Sequence, residues 1–184
     1  PPTDLRSPVV IDGLPLRVGQ LDIDALPRIR DAQARLSIGV DGGRQHRLDG
    51  LTLALPWARV QGRASLGTTA PLPVTAVVTA ASLPLPVGAA AAPRPALPPP
   101  LAAWQASANA TGPLDRLAVE AELHGQALAG HPAPALQASA TVAAFAPWPL
   151  AALSVSTQAL DLSALAPTLP HTLLDGRASV QSSG

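Results

Sequence analysis

Leu117-Ala118-Val119-Glu120-Ala121-Glu122-Leu123 sets Leu117, Val119, Ala121 and Leu123 on one side of an extended chain and Ala118, Glu120 and Glu122 on the other. Period two marks a strand, because successive side chains point to opposite faces of a sheet, whereas a helix repeats near 3.6. An apolar side opposite two carboxylates predicts a strand buried on one face and wetted on the other. The same reading holds on either side. Trp104, Ala106, Ala108 and Ala110 oppose Gln105, Ser107, Asn109 and Thr111, and Leu136, Ala138, Ala140 and Val142 oppose Gln137, Ser139 and Thr141. Leu153, Val155 and Thr157 alternate with Ser154, Ser156 and Gln158. Nearer the N-terminus, Val60, Gly62, Ala64 and Leu66 alternate with Gln61, Arg63 and Ser65, after Leu51, Leu53 and Leu55 and, before them, Leu36, Ile38 and Val40.

Turn-forming residues punctuate these runs: Asp12-Gly13, Asp41-Gly42-Gly43, Asp49-Gly50, Thr111-Gly112-Pro113 and Asp175-Gly176. Read as turns, they give short connections, which favour antiparallel neighbours. Helical pattern is confined to two short stretches, Ile23 to Ile29 and Leu160 to Ala166, the second with Asp161 as its N-cap and Pro167 as its stop. Leu83 to Pro100 is rich in Pro and Ala, which removes ladder donors and predicts a loop or semi-rigid connector. One sheet running through residues 1–184, rather than two domains split by that connector, is the expected organisation. Leu48-Asp49-Gly50-Leu51 recurs loosely as Leu174-Asp175-Gly176 and, more distantly, at Gly112-Pro113-Leu114-Asp115, which points to stacked strand units.

Composition narrows the functional classes. The 184 residues are 47% apolar, yet hold three Trp, one Phe and no Tyr or Met. An apolar surface built from Ala, Leu and Val suits a thin layer or open groove better than a thick core filled by aromatics. All twelve basic residues are Arg, net charge is zero and no basic run occurs, so nucleic acid is not an expected partner. The absence of Lys beside abundant Ala and Pro reflects a GC-rich bacterial genome. Without Cys there is no disulfide, thiolate metal site or Cys nucleophile. No run of about 20 apolar residues free of Pro and charge occurs. The chain begins and ends in mid-pattern and reads as an excerpt of a longer protein.

Catalytic signals are weak. His46, His124, His131 and His171 lack the converging spacing of a metal site and read as exposed turn histidines. Asp22 with Asp24, and Glu120 with Glu122, are paired carboxylates, but each pair falls on the polar side of an alternating segment and reads as a solvated face. No nucleophile elbow, phosphate loop or dinucleotide fingerprint is present. The expectation is a non-enzyme without a cofactor.

A set of phrases carries a resemblance: Leu48-Asp49-Gly50-Leu51-Thr52-Leu53, Trp57-Ala58-Arg59-Val60-Gln61-Gly62, Gly112-Pro113-Leu114-Asp115-Arg116-Leu117, Phe145-Ala146-Pro147-Trp148-Pro149-Leu150 and Leu160-Asp161-Leu162-Ser163-Ala164-Leu165. Roughly from Leu14 onward the chain resembles the TamB family, the AsmA-like inner-membrane subunit of the translocation and assembly module. That resemblance implies an elongated curved sheet folded as a β-taco around a hydrophobic trough. It also implies anchorage in the inner membrane of a Gram-negative bacterium, a periplasmic location, phospholipid transport and outer-membrane biogenesis, and partnership with the barrel protein TamA.

The strands pose a physical problem that the resemblance answers. Each has one apolar face, and no amphipathic helix is at hand to cover it. Leu51, Leu53, Leu55, Val60, Leu66, Leu117, Val119, Leu123, Leu136, Val142, Leu153 and Val155 are therefore the expected lining of a groove for acyl chains, with Trp57, Trp104 and Trp148 at its rim. Two other uses fit the same pattern: a scaffold that pairs its edges with strands of outer-membrane proteins, and an ordinary closed sandwich of a surface protein.

Overall fold

The computed structural model describes residues 2–21, 29–83, 103–127, 132–164 and 169–182. Ten strands follow one another: β1 (Ile11–Leu21), β2 (Ile29–Gly39), β3 (Gln45–Ala54), β4 (Ala58–Gly67), β5 (Pro73–Ser82), β6 (Trp104–Pro113), β7 (Leu117–Gly125), β8 (Ala135–Val142), β9 (Leu150–Leu160) and β10 (Leu174–Gln181). They form one sheet in chain order, and every ladder joins sequence neighbours antiparallel. Among the described residues the fold is all-β: an elongated, curved, open antiparallel sheet with very little helix and no barrel closure. Nine inter-strand spacings make it roughly 43 Å long across the strands.

The strands on either side of the Pro- and Ala-rich connector, β5 and β6, pair directly from Pro73 opposite Pro113 to Ala81 opposite Gln105. Residues 84–100 of that connector lie outside the described residues, as do Asp22, Asp24, His131 and the 23–28 part of the first helical stretch; Ile29 opens β2. The second helical stretch is corrected. Leu160 ends β9 and a 3-10 turn spans Leu162–Ala164, while residues 165 and 166 lie outside the described residues. Asp161 does cap that turn, accepting the Ser163 N–H at 3.0 Å. Val40 belongs to the tight turn after β2, not to a strand.

Three of the expected turns are also corrected. Asp12-Gly13, Asp49-Gly50 and Asp175-Gly176 lie inside β1, β3 and β10. In β1 and β3 the apolar spacing lengthens from two to three at the Asp-Gly pair, and the ladder absorbs the extra residue. Ile11 and Leu14 face Ile38 and Leu36, and Leu48 and Leu51 face Ala64 and Gly62. Gly13 and Gly50 take up the bulge at φ 67 and 58, a left-handed backbone that glycine adopts without steric cost. β2 and β9 carry the same device at Asp31 (φ 51) and Ala159 (φ 46). In β9 the Asp175 carboxylate accepts the Ala159 N–H at 2.7 Å. The ladders from β4 through β8 have no shift. Bulges bend and twist the strands that hold them, so bending is concentrated at the two ends of the sheet.

Few side chains are sealed from solvent. Among the described residues the buried apolar ones are Ala58, Leu72, Leu123 and Leu160, and the first, second and last of these sit at or beyond strand ends. The lower rim, where β2 ends and β3 begins, is tied to the N-terminal segment. Leu5 N–H donates to Thr68 O and Ala70 N–H to Thr3 O, at 2.7 and 3.0 Å. His46 is corrected here: it is a strand residue bonded through both ring nitrogens, not an exposed turn histidine. Its Nδ1 accepts the Gly39 N–H at 3.1 Å, which leaves Nε2 to donate to Leu5 O at 3.0 Å. His124 is exposed as expected but lies within β7 rather than in a turn.

Candidate functional site

In an antiparallel sheet, residues opposite one another share a face. One chain of such pairs crosses all ten strands: Leu14, Leu36, Leu48, Ala64, Ala76, Ala110, Val119, Ala140, Leu153 and Val180. Parallel to it runs a second row, Leu51, Gly62, Val78, Ala108, Ala121, Ala138, Val155 and Ala178. Above them lies a third, from Leu53 and Val60 through Ala80, Ala106, Leu123 and Leu136 to Thr157. Below them Leu66 is opposite Val74, and Leu117 is opposite Val142.

Of the twelve residues expected to line a groove, Leu51, Leu53, Val60, Leu66, Leu117, Val119, Leu123, Leu136, Val142, Leu153 and Val155 thus share one apolar face. Leu55 stands just past β3, where its N–H closes the hairpin onto Ala58 O at 2.8 Å. No second layer of described residues packs over this face, since the sheet's contacts run between neighbouring strands. Its members are mostly half-buried, and Leu14, Leu16, Val18, Val78 and Val180 are exposed outright. Leu123, at 8% exposure, is the most enclosed of the twelve.

Side-chain size varies systematically over the face. Between β4 and β8 the two middle rows contain only Gly, Ala and Val, whereas Leu117, Leu123, Leu136 and Leu66 rise on their flanks. Rows stand about 7 Å apart, two residues along a strand, so the low lane is about the width of one or two hydrocarbon chains lying across the strands. Trp104 begins β6 at the upper margin of the face, and Trp57 lies in the neighbouring hairpin. Trp148 is 64% exposed in the loop before β9, at the lower margin.

The opposite face is polar, and Glu120 and Glu122 belong to it, opposite Asn109 and Ser139 and opposite Ser107 and Gln137. Shallow, open depressions dimple this side. One of about 350 Å³ is lined by Arg59, Gln61, Thr79, Gln105, Ser107, Glu122 and His124. Its charged groups are exposed, so it lacks the desolvation that would give a carboxylate or imidazole catalytic character.

Among the described residues one Ser-His-Asp cluster occurs, and its geometry is structural. Ser163 Oγ lies 2.8 Å from His171 Nδ1, and Asp161 Oδ2 lies 3.1 Å from the same nitrogen. A nucleophile and its orienting carboxylate need opposite imidazole nitrogens, so no proton relay is possible here. The cluster instead clasps the β9–β10 connection: Asp161 Oδ1 accepts the Ser163 N–H, the Ser163 hydroxyl and the Thr172 N–H. Partial burial pushes the Asp161 carboxyl up. The hydrogen bonds from Thr172 N–H, the Ser163 hydroxyl, His171 and Ser163 N–H outweigh that and hold it down at about 2. Because these bonds favour the ionised form, their stabilisation is present above pH 4 and is lost as pH falls through about 2. A shift of this size corresponds to at most about 2.5 kcal/mol, and solvent access to the side chain reduces that to about 1 kcal/mol. Urea titrations at pH 5 and pH 2 should show Asp161→Asn losing about 1 kcal/mol less than the unmodified chain over that interval. Equal losses would remove the clasp from the stability account.

No group of metal-ligating side chains occurs among the described residues. No described helix is long and apolar enough to cross a membrane. Comparison with protein-family models, with curated proteins and with solved structures gave no match.

Proposed function

We propose that the apolar face is a lipid-carrying trough and that the chain acts without catalysis, as a periplasmic segment of an inner-membrane-anchored, TamB-like protein of a Gram-negative bacterium. The observation that carries this reading is the unbroken apolar row from Leu14 to Val180, left without a protein lid among the described residues. An exposed apolar surface of this extent is unfavourable in water unless something else covers it. Acyl chains laid along the Gly- and Ala-floored lane would do so, with about 0.8 kcal/mol from each buried methylene. Headgroups would stay wet at the strand ends, near Trp57, Trp104 and Trp148, whose indoles suit an oil–water boundary. On this reading phospholipid moves between the inner and outer membranes across the strands, from one sheet edge towards the other. A TamA-like barrel would be the outer-membrane partner.

A photoreactive residue tests the assignment of faces. Placed at 119 it should capture phospholipid acyl chains, and placed at 120, one residue away on the polar face, it should capture none. Equal labelling at both positions, or none at 119, would remove the trough. A second reading follows from the outer edges of β1 and β10, which carry no further strand among the described residues. Such edges can accept strands of outer-membrane client proteins by β-augmentation. Crosslinks from β10 to client strands, with no lipid bound, would favour that scaffold role.

A further inference from the structure

Arginines scattered along the sequence converge on one half of the polar face. The ladders set Arg17 opposite Gln33, Arg35 opposite Asp49, Arg47 opposite Ser65, and Arg59 and Arg63 opposite Ala81 and Val77. All five are exposed, on four adjacent strands. Arg17, Arg35, Arg59 and Arg63 make no hydrogen bond or ion pair with other described residues, and Arg47 bonds only the neutral side chain of Gln45, at 2.7 Å. Three carboxylates dilute the block: Asp49 within it, Asp12 accepting from Ser37 at its lower margin, and Asp31 in the β2 bulge. The other carboxylates of this face lie farther off, Glu120 and Glu122 three strands away on β7 and Asp175 on β10.

We propose that this arginine block docks the β1–β4 half of the sheet onto an anionic phospholipid bilayer surface, with the apolar face turned away from it. A block of unpaired guanidinium groups spread over several strands matches many headgroup phosphates at once, each able to take a forked pair of hydrogen bonds. A single small anion is a poorer fit, because the depression between Arg47 and Arg63 is open, about 90 Å³, and shares Asp49. Nucleic acid fits less well too, since the polar face of these strands has no aromatic side chain for base stacking. Docking of this kind is electrostatic, so it is separable from the trough, which involves the other face.

Sedimentation of the chain with vesicles of neutral phosphatidylcholine, and with vesicles containing phosphatidylglycerol, tests the proposal. Partitioning should be stronger on the anionic vesicles, and the difference should vanish between 0.1 and 1 M salt as the screening length falls from about 10 to about 3 Å. Arg47→Gln with Arg63→Gln should weaken anionic-vesicle binding by about thirtyfold, from the contribution of each arginine near such a surface. Arg116→Gln with Arg177→Gln removes the same charge outside the β1–β4 half and should change binding by less than about threefold. Equal binding to both vesicle types, equal losses in the two double variants, or binding to polyglutamate with none to vesicles would each overturn the proposal. The trough is judged separately by acyl crosslinking at 119, so failure of one leaves the other measurable.

Discussion

Val119→Arg is expected to abolish co-purification of phospholipid and to leave the ten-stranded sheet folded. Val119 sits mid-sheet in β7, opposite Ala110 and Ala140, so both cross-strand neighbours are small. In the lipid-free chain an arginine there can run its stem over those alanines and keep its guanidinium in water, because no described layer lies above. The cost to folding should stay below about 1 kcal/mol, as for most exposed substitutions. With acyl chains in the lane the same guanidinium meets hydrocarbon, at about 2.5–3.5 kcal/mol. That is a loss of roughly a hundredfold or more in lipid occupancy. Native mass spectrometry reads the lipid, and circular dichroism with a thermal melt reads the fold. Unchanged lipid content would show that the lane is not the lipid path. A chain that no longer folds would show that the site is a sealed core, and would revive the closed sandwich.

Leu160→Ala is expected to be the most damaging single truncation of an aliphatic side chain, at about 3 kcal/mol or more. Leu160 is 1% exposed at the end of β9, opposite Leu174 and beside the Asp161 clasp. Removing a fully buried leucine costs its transfer free energy and leaves a cavity. Leu117→Ala, on the open apolar face, should cost about 1 kcal/mol, because a half-exposed side chain has already forfeited much of its burial. Denaturant midpoints of the two variants measure the contrast. Comparable losses would mean that the apolar face is a core after all, and Leu117 would then belong to an interior rather than a ligand surface.

The two variants separate residues that hold the sheet together from residues that the sheet merely displays. Most of the fully enclosed side chains lie near the rims, beside the Thr68 and His46 ties and the Asp161 clasp. Thr68 is wholly buried, with Oγ1 donating to Gly43 O at 2.7 Å. The middle of the sheet is held mainly by its ladders.

Period-two alternation alone was enough to determine that the chain is all-β, that its strands have one apolar face, and that eleven of the twelve chosen residues share it. That inference is local: it needs only the alternation of side chains along an extended backbone. β1 and β5 escaped it for opposite reasons. In β1 the extra residue at Gly13 breaks the alternation, and in β5 Val77 makes the polar side apolar as well. The Asp-Gly pairs in β1 and β3 were legible in principle, because an apolar step of three within a run of twos marks a bulge, whereas a turn ends the run. Only the tertiary structure decided that β5 and β6 pair across a long connector, that no second layer of described residues covers the apolar face, and that five dispersed arginines stand together. Those facts depend on which strands meet and in what register, and the alternation within a single strand encodes neither.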